Sequence, residues 1–109
     1  MTVAELRRKA FERYCEEQGL DREQRIQLRT LVISYYRLCG LEERVFHWTN
    51  DCDLWNRGFV QRAQDRADKW CDSLVERFSK FGLTLVYFGY LPTICYKGTT
   101  RTAIDKYFY

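Results

Sequence analysis

Proline and histidine are nearly missing from this chain, which has one of each in 109 residues, Pro92 and His47. With one proline there is no proline-rich linker, and neither a low-complexity segment nor an internal repeat is visible. A single histidine removes most acid–base and metal-dependent designs. The six glycines stand singly, so no Gly-rich phosphate loop exists, and there is no Gly-x-Ser-x-Gly elbow and no His-Glu-x-x-His helix. No apolar run approaches the roughly 20 residues of a membrane span. Glu5, Arg7, Arg8 and Lys9 stand among the first apolar residues, where a secretory h-region would carry none. These absences predict a soluble, cytoplasmic, non-enzymatic protein with no catalytic residue, no cofactor and no metal.

Aromatic residues are abundant, at 17% of the chain, and supply enough apolar area for one folded core. The length predicts a single domain over residues 1–109 that buries roughly 65% of its unfolded surface. The five cysteines, Cys15, Cys39, Cys52, Cys71 and Cys95, are odd in number, widely spread and never in a Cys-x-x-Cys pair. Neither a disulfide framework nor a zinc knuckle has that pattern, so reduced structural thiols are expected. His47 and Cys52, with Asp51 or Asp53, are the one conceivable metal constellation. Phe46 and Trp48 on either side of His47 favour a packed or capping histidine instead.

Hydrophobic periodicity organises the chain. Thr2 with Glu5 has the form of a capping box, which starts a first helix at Val3, and Gly19 ends it. Asp21 with Gln24 starts a second helix and Gly40 is expected to stop it, Leu28, Leu31, Val32, Tyr35, Leu38 and Cys39 forming its apolar face. The short Gln18-Gly19-Leu20 connection makes these two a helical hairpin. Leu41 to Thr49 reads as a short helix or turn. A long helix follows, capped by Asn50 with Asp53 or starting only after Gly58, and ending at Gly82. Its stripe of Trp55, Phe59, Ala63, Ala67, Trp70, Leu74, Phe78 and Phe81 marks it as the expected spine of the fold.

After Gly82 the period changes to that of strands, at Leu83–Phe88 and again at Thr93–Tyr96. A turn at Lys97–Thr100 leads to a third strand from Arg101 to Tyr107. The expected fold is α+β: three main helices, the first two a hairpin, then a small C-terminal antiparallel meander.

Binding residues are sought among charges and exposed aromatics. The net charge is only +3, yet 13 of the 18 basic residues are arginine, the residue of fork-like contacts to carboxylate and phosphate. Arg22, Arg25 and Arg29 share one flank of the second helix with Tyr36, a pattern that suits phosphate contacts and base stacking. The plain alternative pairs them with Glu12, Glu16 and Glu17. A second row, Arg62, Arg66, Lys69, Arg77 and Lys80, lies beside an acidic ridge of Asp65, Asp68, Asp72 and Glu76, whose spacing is that of a solvated helix face. In the tail, Tyr87, Phe88, Tyr90, Tyr96, Tyr107, Phe108 and Tyr109 exceed what one face of a three-stranded sheet can bury, so part of them, with Phe88, Tyr90, Tyr96 and Tyr107 beside Arg101 as the candidates, is expected at an interface. An edge strand there leaves pairing with a partner or a second copy open.

The Arg- and Glu-rich helical first half, the helix ending in Phe81-Gly82-Leu83 and the aromatic strand leading to Tyr90-Leu91-Pro92-Thr93 together resemble small accessory proteins of bacteriophages and mobile elements. The resemblance implies an intracellular protein, acting in a host cytoplasm, that binds and occludes a host or viral protein or ribonucleoprotein. Inhibitors of host defence such as anti-CRISPR proteins are among the candidates. The alternative is a small RNA- or DNA-binding protein that uses the Arg22, Arg25 and Arg29 row.

Overall fold

A computed structural model of the chain describes residues 2–50 and 57–104. Three helices, α1 (Val3–Glu17), α2 (Arg22–Asn50) and α3 (Arg57–Ser79), precede three strands, β1 (Leu83–Phe88), β2 (Leu91–Tyr96) and β3 (Thr102–Ile104). The strands form an antiparallel meander in the order β1-β2-β3, so the architecture is the expected α+β one.

The helix starts follow local chemistry. The Thr2 hydroxyl accepts from the Glu5 N–H at 3.2 Å, satisfying a first-turn donor of α1. Asp21 and Gln24 close a full reciprocal capping box, each side chain accepting from the other's backbone N–H, at 2.8 and 3.0 Å. Between them Gly19, at φ +65°, lets the Leu20 N–H reach back to the Cys15 carbonyl and the Gly19 N–H to Glu16, a Schellman end for α1.

Gly40 does not stop α2. The helix runs 29 residues, through the stretch expected to be a short helix or turn, to Asn50. Leu38, Leu41 and Val45 continue the apolar face across the glycine, and all three are buried. A helical glycine costs on the order of 1 kcal/mol, less than burying Leu41 and Val45 returns. Asn50 is likewise not a cap for the next helix: it is the last residue of α2, and its amide donates backward to the Phe46 carbonyl at 2.9 Å. Asp53, its expected companion, lies outside the described residues.

The spine is therefore α2 and not α3. At about 1.5 Å per residue its length is roughly 43 Å, close to the 49 Å longest dimension of the molecule. Tyr35, Leu28, Leu38 and Val32 from α2 are among the largest fully buried side chains. α3 supplies Ala63, Ala67, Cys71, Leu74 and Phe78 to the same core, and the Trp70 indole donates to the Ser34 hydroxyl on α2 at 2.9 Å. Phe59, from the expected α3 stripe, is exposed and meets the Trp48 ring at 5.0 Å; Trp55 lies outside the described residues.

β1 pairs with β2 so that Leu83, Leu85 and Tyr87 stand opposite Tyr96, Ile94 and Pro92. Gly89, at φ +71°, opens a two-residue turn with the pattern of type II′. β2 begins two residues earlier than expected and takes Pro92 into the strand. The Pro92 carbonyl accepts from the buried Tyr35 hydroxyl at 2.7 Å, so a side chain of the spine completes what the ladder leaves open. β3 begins at Thr102, and the expected strand residues beyond Ile104 lie outside the described ones.

Candidate functional site

α1 lies against β3, and its Tyr14 meets the ring of Tyr96, at the end of β2, at 6.4 Å. Its other flank faces the first turns of α2 across an open cleft of about 380 Å³, lined by Ala4, Arg8, Phe11 and Glu12 of α1 and by Arg22, Arg25, Ile26 and Arg29 of α2. The whole expected arginine row thus lies in one concavity, together with Arg8 from the facing helix. Of the eight described lining residues five are charged, four of them arginine, and the remaining three are apolar. The Arg25 Nε donates to the Leu20 carbonyl at 3.0 Å, which holds its guanidinium at the cleft. Among the described residues Glu12 is the one carboxylate in the lining, and it is one of the expected acid partners of the row.

Two apolar members matter. Ile26 is 57% exposed in the middle of the arginines, although α2 has a buried face available. Phe11 is 8% exposed and anchors α1 in the core. Tyr36, expected to be the stacking ring of this row, is instead half-buried and packs on Tyr35 at 5.5 Å. Among the described residues the cleft consequently offers guanidinium groups, aliphatic surface and the largely covered Phe11 ring.

The remaining expected binding residues lie elsewhere. Phe88 and Tyr90 are exposed around the β1–β2 turn. The Tyr90 ring stacks on Phe46 near the C-terminal end of α2, at 4.1 Å and 12°. Tyr96 is half-buried on the core face, with the Arg101 guanidinium 5.6 Å over its ring. Tyr107 lies outside the described residues. The structure therefore separates the arginine row from the exposed aromatics instead of bringing them into one surface.

Sequence reasoning missed Glu42, which is 5% exposed on the buried face of α2. The Tyr87 hydroxyl of β1 donates to its carboxylate at 2.9 Å. Burial pushes the Glu42 carboxyl above the usual range, nearby Asp68 adds to this, and the Tyr87 bond offsets part of it. Burial also pushes up the Cys71 thiol on α3 and the Tyr87 hydroxyl. Glu42, Cys71 and Tyr87 come from α2, α3 and β1, and burial disfavours the charged form of each, whereas a nucleophile or base needs the reverse. The only advance signal was an acid next to Leu41 and three residues before Val45. Ala4, Arg8, Phe11 and Ile26 were also missed, and for Ile26 the signal was an aliphatic residue inside an arginine row.

The other basic row lies on the outer face of α3, where Arg62, Asp65, Arg66 and Lys69 border a shallow depression. Amides tie the acidic ridge along the same helix, Gln61 to Asp65 and Gln64 to Asp68, each at 3.0 Å. Cys15, Cys39, Cys71 and Cys95 are free thiols, whereas Cys52 lies outside the described residues. His47 is exposed, edge-on to Phe46 at 5.7 Å. Among the described residues no group of three or more His, Cys, Asp and Glu side chains could hold a metal ion. No described helix is long and apolar enough to cross a membrane.

The fold defines a small α+β protein with a helical spine and an arginine-lined cleft between α1 and α2. The chain matches no protein-family model, no curated protein and no solved structure, and its own geometry carries the functional reading.

Proposed function

We propose that the protein is a non-enzymatic interaction module that binds a macromolecular partner through the α1–α2 cleft and occludes the surface it covers. One observation carries this: Arg8, Arg22, Arg25 and Arg29 from two helices converge on a cavity of about 380 Å³ that also exposes Ile26. Exposed aliphatic surface ringed by arginine costs solvation when empty and gives affinity when covered, which is the composition of interface centres. A protein surface fits better than nucleic acid, because Tyr36 is packed in the core rim and Phe11 is too covered to stack a base. The narrower form, a phage-type inhibitor of a host defence complex, draws its support from the resemblance of the stretch from Phe81 to Thr93.

A photo-crosslinking residue placed at Ile26 tests this in bacterial lysate, with the same residue at the outward-facing Asp72 as control. The expected result is a discrete protein adduct from position 26 that survives nuclease and disappears in the Arg22→Glu, Arg25→Glu, Arg29→Glu triple variant. An adduct lost on nuclease treatment would place the protein with the nucleic-acid binders, and one of twice the chain's mass would make the cleft a self-association surface. No adduct, or equal adducts from both positions, would overturn the reading.

A further inference from the structure

The strand register gives the sheet two unlike faces, and we infer that a second copy of this chain packs on the outer one, making a twofold dimer. Leu83, Leu85 and Tyr87 of β1 stand opposite Tyr96, Ile94 and Pro92 of β2, and this face meets the helices. Thr84, Val86 and Phe88 stand opposite Cys95, Thr93 and Leu91 on the other face, and among the described residues none of these six belongs to the core cluster. No residue from Leu83 to Tyr96 is charged, in a chain that is 30% charged overall. Phe88 is 53% exposed, and Thr84, Val86, Leu91 and Thr93 are half-buried. A sheet face turned to water is ordinarily polar; this one presents valine, phenylalanine and leucine.

Charge and shape name the occupant. The chain carries +3, so two copies repel at most approaches, whereas this face sets no like charges against each other. The face also tapers, from Phe88 and Leu91 beside the turn, through Val86 and Thr93, to Thr84 and the fully buried Cys95. A twofold axis lying between two such faces, perpendicular to the strands, reverses the strand direction. The bulky end of each copy then lies over the small end of its partner, and the faces interdigitate as sheets packed about 10 Å apart do. The free edge of β1 is a poorer meeting place. The Lys97 N–H donates to the Gly82 carbonyl at 2.9 Å, so by the alternation of an antiparallel ladder Leu83, Leu85 and Tyr87 turn their N–H and C=O groups away from β2. Leu83 is 0% and Leu85 9% exposed, which shields most of that row from an incoming strand. Two strands of six residues cover about 20 by 10 Å, less than the roughly 800 Å² per partner of a standard interface, so the dimer is reversible and concentration-dependent. The cleft is lined by α1 and α2, so both copies keep theirs open.

Sedimentation equilibrium of the full chain from about 10 µM to about 1 mM tests this, and a monomer–dimer equilibrium is expected. Thr93→Asp and Thr93→Lys, each shown to be folded by its melting transition, should each weaken the dimer about tenfold or more, because each sets two like charges together in the middle of the interface. An equimolar mixture of the two variants should associate again, as a heterodimer. If either fails to fold, Phe88→Ser at the exposed end reads the same loss. A photo-crosslinking residue in place of Phe88 should join isotope-labelled to unlabelled chain at the Thr84 end of the second copy. Monomer mass over the whole range would overturn the inference, whatever else the face binds. So would a dimer that the Thr93 variants leave unchanged, or a Phe88 crosslink that maps to α1 or α2. The cleft and the sheet face are tested apart: the triple Arg→Glu variant should dimerise like the parent, and Thr93→Lys should keep the Ile26 crosslink.

Discussion

At the N-terminal end of α2, Arg22, Arg25 and Arg29 surround an exposed isoleucine and face a cleft; twenty residues further along the same helix, a carboxylate is buried beneath a tyrosine and a phenylalanine is stacked on another. The separation is about 30 Å at helical rise. The first end leaves apolar surface open and keeps its charges at the solvent. The second end does the opposite, turning a charge inward to hold β1 against α2 and α3. The difference teaches that one helix can spend a carboxylate on its own fold at one end and leave an aliphatic side chain uncovered at the other.

The largest expected effect lies between the two ends. Tyr35→Ala empties a fully buried ring site and strips the Pro92 carbonyl of its hydroxyl donor, which should cost about 3–5 kcal/mol in denaturant unfolding. Tyr35→Phe, which removes only the donor, should cost about 1–2 kcal/mol. A stable Tyr35→Ala protein would contradict the placement of the spine in α2.

Glu42→Gln sharpens the contrast through pH. The Glu42 carboxyl is raised in the folded protein, so its contribution to stability is fully present below its unfolded value of about 4.3 and is lost as pH rises through the raised folded value. Glutamine keeps an acceptor for Tyr87 and removes that loss. The variant should therefore melt higher than the parent at pH 7, with the gap closing toward pH 4. A variant that melts lower at pH 7 would mean that the ionised carboxylate, and not its protonated form, holds β1.

Smaller effects complete the comparison. The Phe46–Tyr90 stack should show a coupling of about 0.5–1.5 kcal/mol in a double-mutant cycle to alanine. The triple reversal of Arg22, Arg25 and Arg29 should change stability by less than about 1 kcal/mol while abolishing the Ile26 crosslink. Loss of folding in that variant would make the arginine end structural too, and erase the distinction. Asp68→Ala, on the solvated ridge of α3, should fall within about 0.5 kcal/mol of the parent.

Much of this was readable beforehand where the cause is local. Thr2 with Glu5 and Asp21 with Gln24 cap helices because their partners are three residues away, and Gly19 and Gly82 end or follow helices at positive φ because no tertiary contact is needed for it. Gly40 misled for the converse reason. Its penalty is local and small, whereas Leu41 and Val45, which carry α2 past it, are rewarded only by neighbours distant in sequence. The arginine row was legible as a row; that Arg8 faces it, and that Tyr36 turns away from it, depends on how α1 and α2 are set against each other.

The sequence by itself determined the caps of α1 and α2, the turn at Gly19, the strand period after Gly82 and the α+β class, since each is decided within a few residues by backbone geometry or hydrophobic period. Only the tertiary structure decided that α2 is the spine, that Glu42 is buried under Tyr87, and that four arginines share one cleft. Those outcomes depend on contacts between residues tens of positions apart, and burial and charge placement are properties of the assembled surface, which no local pattern encodes.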